Sequence, residues 1–219
     1  MRLPNTAHTS RPWRIHELTR DFRLEDVWAL PTPGGQDDFP RLVQLIASGN
    51  ASQGSKGAAR ALWVIRLKLG ELLGWDERPN ADPMAEQRPS LRDRLPADLR
   101  GCSPAPHPRN PAFTPLYVTA DEWAAEIINR TVHGVLHLGW VPDRPDRPDR
   151  PDRPDGPDRP GRYHGQLAVY VKPNGPFGTA YMAAITPFRH LIVYPEMTRQ
   201  LARAWSTPTP AAAPAPQTP

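Results

Sequence analysis

The clearest pattern in the chain is an apolar stripe near its C-terminus. Five large apolar residues recur there at spacings of four, four, three and four: Phe177, Tyr181, Ile185, Phe188 and Ile192. This spacing predicts one face of a helix, which Pro176 can begin because its fixed φ suits the first helical turn. Pro187 is expected to kink the helix, and Pro195 to restart it before it ends near Trp205. A stripe of this length requires a surface to pack on.

Segments upstream alternate between apolar and polar residues, which is typical of β-strands. Residues 123–141 are rich in β-branched and aromatic side chains and predict one long strand, with 165–172 as its antiparallel partner. Shorter strands are expected at 113–118, at 21–30 and, from a weaker pattern, at 13–18. The pattern therefore predicts a curved antiparallel sheet that wraps the C-terminal helix and leaves a cavity between them.

Two shorter helices are predicted after the first strand. Residues 39–46 place apolar side chains on one helical face behind Asp37 as the N-terminal cap. Residues 58–75 have a broader apolar surface and are expected to be covered on more than one side. The Pro-rich segment 76–112 is predicted to be irregular, with a helical turn at 90–99, and a loop of this length suggests a function or mobility.

Strand alternation divides the side chains of 123–141 between two faces. Glu126 and Arg130 share one face with four apolar residues: Val132, Leu136, Leu138 and Trp140. This face is the more apolar one and is expected to lie against the helix. His133 and His137 are then expected in solvent on the convex face, unless a bulge at Gly134 turns His137 inward.

Residues 142–160 form an almost unbroken Pro–Asp–Arg repeat. Proline at every third position favours polyproline II, and the opposite charges nearly cancel. We expect 142–161 to be a disordered insertion in the loop of an ordinary hairpin, rather than a recognition arm. With disordered tails at 1–10 and 206–219, the sequence predicts a single domain over 11–205.

Composition narrows the functional classes. The 219 residues include 30 Pro and a single Cys, Cys102, so a disulfide framework is excluded and a cytoplasmic location is favoured. Neither a signal peptide nor a membrane span is expected, because no apolar run has the required length and flanks. The net charge of +4 arises from basic residues interleaved with acidic ones, so nucleic acid is not expected as a partner.

Motifs for known cofactors and catalytic centres are absent from the sequence. It contains no P-loop, nucleophile elbow, HExxH motif or dinucleotide fingerprint, so no cofactor is predicted. His133 and His137 are four residues apart, which on one strand separates them by about 13 Å, too far for a shared zinc ion. No metal site is predicted.

The segments 122–141 and 172–195 resemble a bacterial family, domain-of-unknown-function family 2867. The most telling parts are 187–192, PFRHLI, and the Gly-x-x-Gly-x-x-Tyr start of the last helix: Gly175, Gly178 and Tyr181. The resemblance covers roughly 11–205. Members of that family resemble the START and polyketide-cyclase helix-grip superfamily, which implies a sheet gripping the C-terminal helix with two helices plugging one end. The family supplies no catalytic residues, and in some relatives a similar domain follows a short-chain-dehydrogenase-like module.

Together these patterns predict an α+β helix-grip protein that binds a hydrophobic small molecule, such as a lipid, a polyketide or an aromatic metabolite. The candidate ligand-binding residues are Tyr117, Glu126, Arg130, His137, Trp140, Tyr181, Phe188 and Arg189. Arg130 is the preferred anchor for a carboxylate or phosphate, with an ion pair to Glu126 as the structural alternative. Arg189 and His190 follow the Pro187 kink, where a freed carbonyl could form a polar pocket.

Two other functions remain open. One is a cyclase or dehydratase that uses His137, Glu126 or Tyr181 as acid or base on a bound carbonyl compound. The other is an accessory module for a separate dehydrogenase-like protein. A binding role is favoured over a catalytic one.

Overall fold

The computed structural model describes six ranges of the chain: 1–48, 89–100, 106–109, 112–129, 131–143 and 162–207. The helix predicted at 58–75 and nearly all of the Pro–Asp–Arg repeat lie outside these ranges.

An antiparallel sheet of six strands forms the centre of the described part. The strands are β1 (Arg2–Leu3), β2 (Arg23–Ala29), β3 (Thr114–Val118), β4 (Glu122–Ile128), β5 (Val132–Pro142) and β6 (Tyr163–Pro173). Their order across the sheet is β1-β2-β6-β5-β4-β3. With the C-terminal helix described below, this confirms the predicted α+β class and the antiparallel sheet.

The prediction of one long strand over 123–141 is wrong, because this segment forms the β4–β5 hairpin. Asn129 Oδ1 accepts hydrogen bonds from the backbone N–H groups of Thr131, at 2.9 Å, and Val132, at 3.0 Å. Such side-chain-to-backbone bonds favour a turn over a continuous strand. The turn pairs Glu126 with Val135, so Glu126 does not share a face with Val132 as predicted.

The N-terminal residues also differ from expectation. The strand predicted at 13–18 is wrong, because Ile15–Leu18 form a single helical turn, α2, whose first and last residues are buried. The two buried residues are three positions apart, which matches one face of a helical turn and not the alternation of a strand. Residues 1–10, expected to be a tail, contain β1 and the helical turn α1 (Thr6–Thr9), and His8 is fully buried.

Helix α3 (Phe39–Ala47) confirms the helix predicted at 39–46, although Asp38 rather than Asp37 occupies its N-cap position. A 3₁₀ turn, Leu91–Arg94, and the short helix α4 (Ala97–Arg100) fall in the segment where a helical turn is expected.

The C-terminal helical segment consists of three consecutive parts: α5 (Gly175–Phe188), a π-helical turn (Arg189–Val193) and α6 (Tyr194–Ser206). Pro187 lies inside α5 and has no N–H for the helical ladder. The ladder changes to the wider π spacing directly after it, and Pro195 lies in the first turn of α6. The predicted interruption at Pro187 therefore takes the form of a π-helical turn.

Both faces of the sheet are covered. The helix face, which bears Trp123, Leu138 and Leu167, packs against α3 and α6. The opposite face, here called the histidine face, bears Ala124, His137 and Ala168. Its buried neighbours come from α2, the 3₁₀ turn, the loop after it and α4: Ile15, Leu18, Leu91, Leu95 and Leu99.

The histidines are not solvated, contrary to prediction. His133 is 7% exposed and His137 is 0% exposed, because the N-terminal segment and residues 91–99 cover the histidine face. Strand β5 pairs with both neighbours without a register shift, so no bulge at Gly134 is involved. Leu138 and Trp140 do lie on the helix face, as predicted. None of the described helices combines the length and apolar character needed to cross a bilayer.

Candidate functional site

Asp26 is a carboxylate buried on the helix face. Strand β2 pairs with β6 with a register shift between Leu24 and Asp26, where Glu25 is the extra residue. In regular alternation Leu24 and Asp26 would point to the same face, and Leu24 packs on the histidine face. The β-bulge therefore turns Asp26 to the helix face, opposite Val169, where its side chain is 0% exposed.

The π-helical turn and the residue after it supply the partners of this carboxylate. His190 Nε2 lies 2.5 Å from Asp26 Oδ1, and the Tyr194 hydroxyl donates a hydrogen bond to Oδ2 at 3.0 Å. Arg189 Nη2 lies 3.1 Å from Oδ2. We call these four residues the Asp26 cluster. Both π-helical turns and β-bulges occur preferentially near functional sites, and here one of each meets at a single carboxylate.

Opposite charges compensate the burial of Asp26. An unpaired carboxylate in this position would cost several kcal/mol, and Arg189 offsets that cost. At the edge of the cluster, Arg2 Nη2 lies 3.6 Å from Asp26 Oδ1, and Glu25 Oε2 lies 3.7 Å from Arg189 Nη2. Burial, together with the charge of Asp26, raises the pKa of Tyr194 above its ordinary value. The Tyr194 hydroxyl thus keeps its proton and remains a hydrogen-bond donor.

Arg189 has donor capacity that the described residues do not use. Its Nε and Nη2 atoms are shielded from solvent, and neither makes a hydrogen bond of good geometry with the described part of the chain. Nη2 is close to Asp26, but the contact is an ion pair without hydrogen-bond alignment. A buried donor without an acceptor costs about 1–3 kcal/mol. The planar guanidinium is therefore suited to an arriving carboxylate or carbonyl oxygen.

The described surroundings of the cluster are apolar on the side of α6 and on the side of α5. The Trp28 ring centroid lies 4.7 Å from that of Tyr194 and 6.5 Å from that of His190. Near α5 the buried cluster consists of only three described residues: Val132, Val171 and Met182. Thirteen buried residues form the cluster around α3 and α6. Helix α5 carries no charged residue, so the side of the cluster toward α5 is uncharged as well.

Glu122 is the centre of a second buried polar network, on the histidine face. Its Oε2 accepts hydrogen bonds from the Tyr117 hydroxyl and from His137 Nε2, each at 3.0 Å, and Oε1 accepts from the Arg14 backbone N–H at 3.0 Å. Burial by itself would raise the pKa of Glu122, but these bonds, His137 first, hold that pKa below its ordinary value. Burial also raises the pKa of Tyr117 and lowers the pKa of His137.

His8 covers this network from α1. Its Nδ1 lies 2.7 Å from Gln166 Oε1, and its ring centroid lies 5.0 Å from that of His137. Burial, and next the neighbouring His137, lowers the pKa of His8 to about 3, so the ring is neutral at pH 7. No three His, Cys, Asp or Glu side chains in the described ranges are grouped so that they could hold a metal ion.

Glu126 ties the 3₁₀ turn to the sheet. It accepts hydrogen bonds from the Ser90 hydroxyl and from the Leu91 backbone N–H at 3.0 Å, and His133 Nε2 lies 2.8 Å from its Oε2. Burial would raise the pKa of Glu126, but the bonds from His133 and Ser90 hold it below its ordinary value. These bonds link β4 to β5 and to the 3₁₀ turn, which fits a structural role.

The predicted site residues do not come together in one place. Three of them lie on the histidine face: Tyr117, Glu126 and His137. Trp140 lies on the helix face, where its Nε1 donates to the Gly35 carbonyl at 3.0 Å. Arg189 belongs to the Asp26 cluster. Arg130 and the side chains of Tyr181 and Phe188 lie outside what the structure describes.

Sequence reasoning missed Asp26 and Tyr194 altogether. One available signal was the pair Glu25–Asp26 within an otherwise apolar strand, because two adjacent acids there indicate either an edge or a bulge. The other was the spacing of His190 and Tyr194, which are four residues apart and therefore share one helical face. Their common partner on β2 is more than 160 residues away in sequence, and local patterns do not report such contacts.

These features define an α+β protein whose antiparallel sheet carries a C-terminal helical segment on one face and N-terminal helical turns on the other. The chain belongs to the family described as "Protein of unknown function (DUF2867)", whose model matches residues 18–196. The match includes all four residues of the Asp26 cluster but not His8. Neither the curated proteins nor the solved structures contain a significant match to this chain.

Proposed function

We propose that the protein binds a small, mainly apolar molecule between the sheet and the C-terminal helical segment, in the manner of a helix-grip domain. The observation that carries the proposal is the Asp26 cluster, a buried charged group within an otherwise apolar layer. Binding sites for small molecules are typically apolar concavities with a few convergent polar groups. A lipid, a polyketide or an aromatic metabolite with a carbonyl or carboxylate head has this chemistry.

The polar end of the ligand is assigned to Arg189 rather than to Arg130. Arg189 lies on the helix face with two buried donor atoms that make no hydrogen bond within the described ranges. The apolar body of the ligand would extend from there toward α5, which carries no charged residue and whose Met182 packs on Val132 and Val171 of the sheet. The cyclase alternative based on His137 and Glu126 loses support, because both side chains lie on the histidine face. Association with a dehydrogenase-like protein stays a prediction, and co-purification tests it.

Binding of cis-parinaric acid, whose fluorescence rises in an apolar environment, tests this proposal. Its polyene chain and carboxylate match the two halves of the proposed site. Arg189→Met removes the guanidinium and should weaken binding at least tenfold, since a charge-assisted bond contributes about 1.5–3 kcal/mol. Arg199→Met is the matched control, because Arg199 lies on α6 beside Glu196 with its side chain 66% exposed. Native mass spectrometry of the purified protein reveals any co-purified ligand.

Two outcomes would contradict the proposal. One is the lack of saturable binding of cis-parinaric acid by the folded protein. The other is equal affinity in wild type and the Arg189→Met variant, which would place the bound carboxylate elsewhere. Circular dichroism of both variants checks that the substitutions leave the fold intact.

A further inference from the structure

The hydrogen bond between Asp26 and His190 defines which nitrogen of His190 is basic. Asp26 Oδ1 accepts from His190 Nε2 at 2.5 Å, so the neutral ring carries its proton on Nε2 and its lone pair on Nδ1. No described residue makes a hydrogen bond to Nδ1. The His190 side chain is 23% exposed whereas that of Asp26 is 0% exposed, so a small molecule can reach the ring but not the carboxylate behind it.

This arrangement is that of a general base oriented by a carboxylate. A base is effective when a third group fixes its tautomer and stabilises the cation formed on proton uptake. Asp26 can do both for His190. The donors of Arg189 lie beside the same carboxylate that holds His190, and a guanidinium can stabilise a developing oxyanion.

We propose that the Asp26 cluster catalyses proton abstraction from a carbon next to a carbonyl group of the bound molecule, with His190 as the base. This inference rests on the proposed ligand site and adds a reaction to it. His190 Nδ1 takes the proton, and the C–H electron pair becomes the carbon–carbon double bond of an enolate. The carbonyl π electrons move to oxygen, whose charge Arg189 stabilises. Return of the proton from the imidazolium to carbon restores the neutral ring, so no oxidant or other reactant is consumed.

Arg189 is assigned to the oxyanion because guanidinium donors stay protonated throughout the reaction. Asp26 is a positioning residue, since it acts on the substrate only through His190. The Tyr194 hydroxyl donates to the other carboxylate oxygen and fixes its orientation.

Deuterium exchange into 2-tetralone provides the test. This aromatic ketone has an apolar body and acidic protons next to its carbonyl, and ¹H NMR in D₂O follows their loss. Displacement of cis-parinaric acid measures its binding separately. The wild type should accelerate exchange above the buffer rate. His190→Gln should lower the catalysed rate at least about 100-fold, as removal of a general base does, while binding changes little.

The chain contains a matched control in a second His–Asp pair. His164 Nδ1 lies 2.5 Å from Asp143 Oδ1 at the far end of β5 and β6, with side chains 25% and 39% exposed. His164→Gln should leave the exchange rate unchanged. Asp26→Asn should lower the exchange rate with little change in the affinity for 2-tetralone, which a purely structural ion pair would not produce, and the ¹⁵N signature of His190 should change from the Nε2–H tautomer to a mixture.

Each outcome separates the two proposals. Binding of 2-tetralone without exchange above buffer contradicts the catalytic inference and leaves the ligand site in place. Exchange that persists in His190→Gln also contradicts it, because another group would then be the base. Lack of binding contradicts the ligand site and the inference together.

Discussion

At the scale of single residues, His8 should make the stability of the fold sensitive to mild acid. Its pKa is about 3 in the folded protein against 6.5 for an ordinary histidine, because burial and His137 disfavour the imidazolium. When pH falls below 6.5 the unfolded chain takes up a proton at His8 that the folded chain does not. The free energy of unfolding must therefore fall as pH drops from 6.5 toward 3, and its His8 contribution is fully present above 6.5.

His8→Asn isolates this effect. The side-chain amide N–H of asparagine can replace the His8 Nδ1–H that faces Gln166, and asparagine does not take up a proton in this pH range. Between pH 7 and pH 5 the wild type should lose about 2 kcal/mol more stability than the variant, measured by urea unfolding at both values. Burial alone would raise the pKa of Glu122 above its ordinary 4.5, but the hydrogen bonds from His137, Arg14 and Tyr117 hold it below that value, so Glu122 stays ionised in this window. An equal pH dependence of the two proteins would show that His8 is protonated without cost.

At the scale of elements, Gly178 sets how closely α5 approaches the β4–β5 turn. A Cβ atom there would lie 2.2 Å from the Thr131 carbonyl oxygen, which belongs to the turn backbone and also accepts from the Asn174 N–H at 2.8 Å. Alanine is favoured over glycine in a helix by about 1 kcal/mol, but a forced backbone shift costs about 1–3 kcal/mol.

The net expectation is that Gly178→Ala destabilises the protein and displaces the start of α5. Thermal unfolding measures the first effect, and weaker cis-parinaric acid binding reports the second. Thr179→Ala is the control, because Thr179 is adjacent to Gly178 and exposed, so alanine at this position causes no clash. This substitution should change stability by less than about 0.5 kcal/mol. A rise in stability of Gly178→Ala would mean that α5 is not held against the turn.

The strands and helices could be predicted from the sequence where a segment contained a single periodic pattern of apolar residues. β6, α3 and the Pro187 interruption follow from alternation, helical spacing and the missing proline donor. The hairpin within 123–141 could not be seen from alternation, because β4 and β5 are buried on both faces, polar residues included, and only Asn129 indicates the turn. That one turn changed the side of the sheet on which Glu126 was expected, whereas the histidines lie opposite the helix face as predicted and differ only in being buried.

At the scale of the whole molecule, the covering of the histidine face depends on contacts between distant parts of the chain. His8 lies within hydrogen-bonding distance of Gln166, and Glu122 accepts a hydrogen bond from the Arg14 backbone N–H. No local pattern in the N-terminal residues indicates either contact. Sheet and C-terminal helix were predictable because both have long, regular patterns. The Asp26 cluster was not, because two irregularities, a β-bulge and a π-helical turn, bring its residues together.

Because the ends of β5 and β6 are paired with each other, we expect the Pro–Asp–Arg repeat to be dispensable for the fold. The two strands remain in register up to Pro142 and Tyr163, and the Asp143 N–H donates to the Arg162 carbonyl at 2.7 Å. The ends are thus already held at the spacing that a short hairpin turn requires. Replacing 144–161 by Asn-Gly removes closure entropy and should raise the free energy of unfolding by up to about 2 kcal/mol. Affinity for cis-parinaric acid should not change, because the Asp26 cluster lies on β2 and the C-terminal segment.

Urea unfolding of this shortened chain should be compared with that of a chain in which a Gly/Ser segment of equal length replaces 144–161. The equal-length chain should match the wild type, since closure entropy depends mainly on loop length. If the shortened chain instead loses stability or ligand affinity, the repeat must contribute contacts to the folded domain. Lower stability or affinity in both variants would assign those contacts to the Pro–Asp–Arg sequence. Lower stability or affinity in the shortened variant alone would mean that the strand ends require a longer connection.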